Sequence, residues 1–387
     1  MPRTHRSILL ALLVLVGGLA APTSASTPAP AKMASIPGMR VLTYYAGPVE
    51  NPAKIPPPEV FLQRAQEVGA QTANITVNYT GFSGPAQTAF EYAVTIWESL
   101  ITSPVDTVVD ATWEPLSPSG VLGSAGASNF YRDFPNAPVA GTWYATALAN
   151  KLAGTDLDNY YGLPDVEIQA SFNSNFPDWY FGIDGNTPAN QVDFVSVVLH
   201  ELGHGLGFSG SMRIGSPFCN LGNGCWGRGS GYPFMYDRFA VNGSGQYLIS
   251  DFINNSPELA AQLTSGNIYF NGPNAMKANG NANVKLYAPG TFSAGSSYSH
   301  LDEIFNNTPN ALMTYSIGSG EAIHNPGSVT LCMFKDMGWT VTVSGSSSAS
   351  AMSAPGFVVF SPDNVTVMVT ETLYLPLIMN SYSTAPC

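Results

Sequence analysis

The sequence predicts an α+β fold: a mixed sheet packed on a central helix, followed by a small C-terminal β appendage. Three observations carry that prediction. Segments 74–82, 106–113 and 165–172 suit strands, the first and last alternating apolar and polar residues. Segments 85–100 and 187–207 instead repeat their apolar residues at helical spacing. A Ser/Gly-rich stretch, 343–355, then separates the main region from residues 356–387, which read as two or three strands.

Taken in order, Arg3 and Arg6 precede an apolar run over 8–19 and small residues ending at Ala25, the pattern of a signal peptide spanning 1–25. The run is short for a bilayer span, and no other segment is apolar enough for one, so no transmembrane segment is expected in the mature chain. Residues 26–39 read as a Pro/Ala-rich leader, and the main domain as 40–342. In helix 85–100 the buried stripe is Ala89, Tyr92, Ala93, Ile96 and Trp97. A Gly/Ser loop is expected through residue 128, and 143–152 suits either a strand or a short helix. The next helix is expected to start at Thr187 and Pro188, with Val192, Val195, Leu199, Leu202 and Leu206 facing the core and Gly207 ending it at positive φ. From 211 to about 291 the chain is rich in Gly and Asn and reads as loops.

Composition narrows the function. The 387 residues hold 26 Asp and Glu against 14 Lys and Arg, for a net charge of −12. A chain so acidic cannot replace the counterions of a phosphate backbone, so no nucleic acid partner is expected. Acidity favours Ca²⁺ as an additional cofactor, although no Asp-rich loop of the EF-hand kind is present. The four cysteines fit an exported protein with disulfides, and the short loop between Cys219 and Cys225 suggests that pair, leaving Cys332 with Cys387. The expected location is extracellular, free or at the cell surface.

The chemistry concentrates at His200-Glu201-Leu202-Gly203-His204. Two imidazoles at i and i+4 share one helix face and can hold one Zn²⁺, while Glu201, about 100° round the helix, is placed to act as general base on water. His5 leaves with the signal peptide, so a third imidazole ligand must be His300 or His324. A carboxylate third ligand, Asp237 or Glu258, is the other option, with Asp237 and Arg238 reading equally as a buried ion pair.

This pattern resembles the metzincin metallopeptidases, whose signature extends to HExxHxxGxxH. Gly207 matches the turning glycine, but Gly210 stands where the third histidine is usual. In the leishmanolysin-like branch a long insertion precedes that histidine and a methionine turn follows. Ser299-His300-Leu301-Asp302 and then Ala311-Leu312-Met313-Thr314-Tyr315 stand here in that order, after an insertion longer than the branch's usual one. The resemblance is specific over about 190–340, is one of element order over 70–190, and does not cover the tail. It implies His300 as third ligand, Met313 beneath the metal and Tyr315 as an oxyanion donor, the last weighed against an ordinary packed tyrosine. It also implies that the last strand before the helix, 165–175, lies at the sheet edge and pairs with extended protein or peptide substrate. The expected activity is a secreted zinc endopeptidase. The alternative is an exported binding or surface protein on a catalytically dead zincin fold. No cysteine precedes Cys219, so a thiolate cannot block the metal, and residues 26 to about 70 are left as a candidate prosegment.

Overall fold

The segments expected as strands become three adjacent parallel strands, one of them at the edge, of a six-stranded mixed sheet in the computed structural model, which describes residues 33–64, 73–343 and 387. The signal peptide, the linker 343–355 apart from Val343, and the tail 356–387 apart from Cys387 lie outside the described residues. The elements used below are β1 (Ala34–Pro37), β2 (Val41–Pro48), β3 (Ile75–Thr80), α1 (Gly84–Leu100), β4 (Thr107–Glu114), β5 (Val121–Ala127) and β6 (Asn129–Arg132). They continue with α2 (Thr146–Ala153), β7 (Ile168–Asn173), α3 (Phe194–Gly205), β8 (Ser316–Ser319) and α4 (Gly327–Met337). The large sheet runs β8-β2-β5-β7-β4-β3. Strands β3, β4 and β7 are mutually parallel, β5 is antiparallel to both β7 and β2, and β8 runs parallel to β2. The chain is therefore mixed α+β, with helices packed against a mixed sheet.

Three sequence expectations are corrected. Strand β7 is internal, hydrogen-bonded by β4 on one side and β5 on the other, so 165–175 does not offer a free edge to substrate. Strand β5 occupies what reads as a Gly/Ser loop, and all seven of its residues are buried. Its small residues are there for close approach: a Cβ on Gly126 would sit 1.8 Å from the Met39 carbonyl oxygen, and one on Gly123 would sit 2.7 Å from Glu201 Oε1. Finally, β1, which composition groups with the leader, pairs antiparallel with β6.

Helix α1 buries Ala89, Phe90, Ala93, Ile96 and Trp97 against α3, and the Trp97 indole donates to the Leu199 carbonyl at 3.0 Å. Tyr92, expected in that stripe, is only half-buried. Every residue of α3 is buried. It begins later than Pro188, because Val192 and Asp193 first pair with Trp179 and Tyr180, and Asp193 then caps the helix by accepting from the Ser196 amide at 2.8 Å. Gly207 follows the helix at φ +116°, a backbone state glycine adopts without the Cβ clash other residues meet. Segment 143–152 resolves as a two-residue strand running into α2. The disulfides are Cys219–Cys225 and Cys332–Cys387. Among the described residues no helix is long and apolar enough to cross a membrane.

Candidate metal centre

Helix α3 sets His200 and His204 one turn apart, and the loop before residues 311–313 brings His300 to them. The three Nε2 atoms form a triangle: 2.9 Å from His200 to His204, 3.2 Å from His200 to His300 and 3.1 Å from His204 to His300. Each Nδ1 lies 2.6 Å from a backbone carbonyl: Leu312 for His200, Phe208 for His204 and Ser296 for His300. A carbonyl only accepts, so each Nδ1 carries the hydrogen and each Nε2 turns a bare lone pair toward the other two. Three facing lone pairs repel one another unless a cation sits among them. Ligand bonds of about 2.0–2.1 Å in a tetrahedral set require nitrogens about 3.3 Å apart, close to the triangle found here. The carbonyl partners are those metal-ligating imidazoles use to fix tautomer and orientation. The residues present therefore fit a three-histidine metal.

Burial acts in the same direction. His200 is held down to about 4, and His204 and His300 well below the ordinary imidazole range, first because burial penalises the imidazolium. Neutral rings are the form a metal needs. Glu201 is fully buried, and among the described residues neither carboxylate oxygen makes a formed hydrogen bond. Burial pushes its carboxyl up to about 8, only partly opposed by nearby Thr43, the Ala125 backbone and Arg40. The missing Cβ of Gly123 leaves the space its carboxylate fills.

The floor of the site is Met313, fully buried, whose sulfur would stand 2.9 Å from a Cβ on Gly203. Gly203 therefore lets residues 311–313 pack under α3 between His200 and His204, and the same turn supplies the Leu312 carbonyl that holds His200. Gly210 is also explained. A Cβ there would lie 1.9 Å from the Tyr298 ring, so no histidine fits that position while Tyr298 does.

The other candidates lie elsewhere. His324 binds Asp193 with Nε2 to Oδ1 at 2.9 Å, and so secures the cap of α3. Asp237 is a buried acceptor for Ser211, the Phe234 amide and Tyr298, and makes no ion pair with Arg238 among the described residues. Glu258 is exposed in the first turn of Pro257–Leu263. Tyr315 is half-buried with its ring stacked on Tyr287 at 4.3 Å, and its hydroxyl makes no hydrogen bond to the three histidines.

A second group, Asp156, Asp158 and Glu167, brings carboxylate oxygens within 4.8 Å of one another. Most of these oxygens accept from Tyr131, Asn129, Asn150, Asn159 or the Val108 and Asp158 amides, so neutral donors account for most of the cluster without a cation. The strand character of β5 and the contact of Gly123 with Glu201 were missed; the unbroken run of small residues Gly123-Ser124-Ala125-Gly126 was the available signal. Over residues 144–215, a stretch that contains α3, the chain is similar to a family model described as SPBPB7E8-like. No curated protein and no solved structure matches it.

Proposed function

We propose that the chain is a zinc-dependent endopeptidase of metzincin type, exported and acting on extended protein segments. One observation carries the reading: three buried imidazoles converge through Nε2 with every Nδ1 committed to a carbonyl, beside a buried carboxylate that makes no formed hydrogen bond among the described residues. A purely structural metal has no use for Glu201. When bound, Zn²⁺ supplies Lewis-acid polarisation of a peptide carbonyl and makes water acidic enough for a carboxylate to deprotonate. His200, His204 and His300 would hold it, His200 anchored through Leu312, His204 through Phe208 and His300 through Ser296. Glu201 takes the proton of the attacking water and returns it to the amide nitrogen as the C–N bond breaks. The bound cation would offset the burial that raises its affinity for a proton, leaving a carboxylate able to take that proton. Tyr315 would need to leave its stack on Tyr287 to donate to an oxyanion, so its part is secondary. Calcium is left as an auxiliary ion suggested by composition alone, since neutral donors satisfy most oxygens of Asp156, Asp158 and Glu167.

The test is cleavage of a denatured protein by the purified chain, with Glu201→Gln as control. The variant is expected to retain one metal per chain and lose at least about a thousandfold in turnover, the scale of a lost general base and more. Metal loss in Glu201→Gln would make the residue structural. The dead-fold alternative predicts a stoichiometric metal and no cleavage by the wild-type chain in any state.

A further inference from the structure

The chain carries 14 Lys and Arg against 26 Asp and Glu, yet Arg40, Arg213 and Arg228 line one cavity of about 530 Å³. Among the described residues no Asp or Glu lines it, and neither do His200, Glu201, His204 or His300, so it is separate from the three-histidine centre. None of the three arginines makes an ion pair among the described residues. Their hydrogen bonds go to neutral acceptors instead. Arg213 Nη1 donates to the Met212 carbonyl at 2.7 Å and the Gly210 carbonyl at 3.4 Å, and its Nη2 faces the Met39 sulfur at 3.3 Å. Arg228 Nη1 donates to the carbonyls of Pro37 and, at 3.0 Å, Gly38. Arg40 donates to the Ser171 hydroxyl at 2.7 Å and to Gln169 Oε1 at 3.4 Å; the hydroxyl donates onward to Glu114, so Arg40 meets that carboxylate only at one remove.

A guanidinium has five N–H donors, and these bonds leave each of the three with donors to spare. The charges also act on one another. Burial pushes Arg213 down to about 10, with Arg228 adding to the shift and Asp237 opposing it, and Arg213 stays charged at neutral pH. An anion among the three would relieve the repulsion and take up the spare donors. The rest of the cavity is apolar, with walls from Ile214, Phe218 and Phe292, and the Arg228 Cζ lies 5.4 Å from the centroid of the Phe218 ring. This wall is braced: Arg213 and Ile214 pair antiparallel with Cys225 and Gly224, and the Cys219–Cys225 disulfide closes the loop that carries Phe218.

We propose that this cavity binds a carboxylate carried on an apolar or aromatic body, its oxygens held by Arg228, Arg213 and Arg40 and its body by Ile214, Phe218 and Phe292. Planar guanidinium forks match a carboxylate, and the volume lies within the range of about 300–1,000 Å³ usual for small-ligand sites. The same chemistry comes from a free aromatic acid or from an acidic side chain beside an apolar one in a protein segment. The site stands whether or not the chain cleaves peptides.

The experiment is calorimetric titration of the full chain with phenylacetate, phenylacetamide, inorganic phosphate, and a short capped peptide bearing one aspartate beside a phenylalanine. Phenylacetate is expected to bind saturably and at least about tenfold more tightly than the amide, the scale of a charge-assisted hydrogen bond. Arg228→Gln should weaken it about tenfold, and Arg228→Lys should recover only part, since it restores charge without the fork. Arg40→Gln, which removes bonds to side chains only, is the second variant and should weaken binding severalfold even where Arg228→Gln disturbs the Pro37 and Gly38 backbone. A metal chelator should leave the affinity unchanged. Peptide that competes with phenylacetate would uphold the site and name a protein segment as its source, whereas phenylacetate binding without peptide binding would uphold it for a free acid. No binding, equal affinity for the amide, or tighter binding of phosphate would overturn the proposal. So would binding that survives both arginine changes, or binding lost with the chelator, which would place the carboxylate at the histidines.

Discussion

The role of each histidine follows from what its second ring nitrogen touches. His200, His204 and His300 give Nδ1 to carbonyls and leave Nε2 free, whereas His324 spends Nε2 on Asp193. Changing His300 to Ala should therefore abolish metal binding, measured by metal content after dialysis, while His324→Ala should keep the metal and lower stability by about 1–3 kcal/mol, the cost of an unpaired buried acceptor. Adding Gly210→His to the His300→Ala chain should not restore metal, because the new side chain would enter the space of the Tyr298 ring. Recovery of metal in that double variant would show that the ring yields and that the usual metzincin position is available.

Helix α3 is buried throughout and carries His200, Glu201 and His204, so its placement matters more than its intrinsic propensity. Its N-terminus depends on Asp193, which accepts from the Ser196 amide and hydroxyl, Thr187 and His324. Asp193→Ala should cost about 2 kcal/mol or more in denaturant unfolding, beyond an ordinary cap, because several buried donors lose their acceptor together. Asp193→Asn should recover part of that loss. The helix was legible in the sequence through its 3.6-residue period, and so were Gly207 and the ligand pair. Its first residue was not: Thr187 and Pro188 carry a valid start signal, but residues 188–191 form a turn and Val192 and Asp193 pair with another strand first. Strand β5 escaped notice for a similar reason. Its glycines, which composition assigns to a loop, are required by the backbone of Met39 and the carboxylate of Glu201.

Across the whole molecule, stability should respond to pH through the buried carboxylates Asp158 and Glu167. Burial pushes Asp158 up to about 6 and Glu167 up to about 7, with neighbouring carboxylates adding to both. Their folded pKa values exceed the unfolded ones near 4, so the folded state binds more protons between about pH 4 and 7. Stability from this pair is thus present at the acid end and is lost as pH rises through that window. Thermal unfolding from pH 4.5 to 7.5 should show it, and Asp158→Asn should flatten the slope. An unchanged slope in the variant would place the titration elsewhere.

The sequence by itself determined the α+β composition, the His200–His204 pair with adjacent Glu201, and the turning glycine, because each is set by local spacing along the chain. It left His300, His324 and the carboxylates Asp237 and Glu258 as candidates to join that pair and could not choose among them by counting. Only the tertiary structure decided that His300 meets the pair while His324 caps the helix, and that β7 is internal. Those facts depend on which distant segments share a hydrogen-bonded edge, and main-chain pairing carries little side-chain signature from which it could be read.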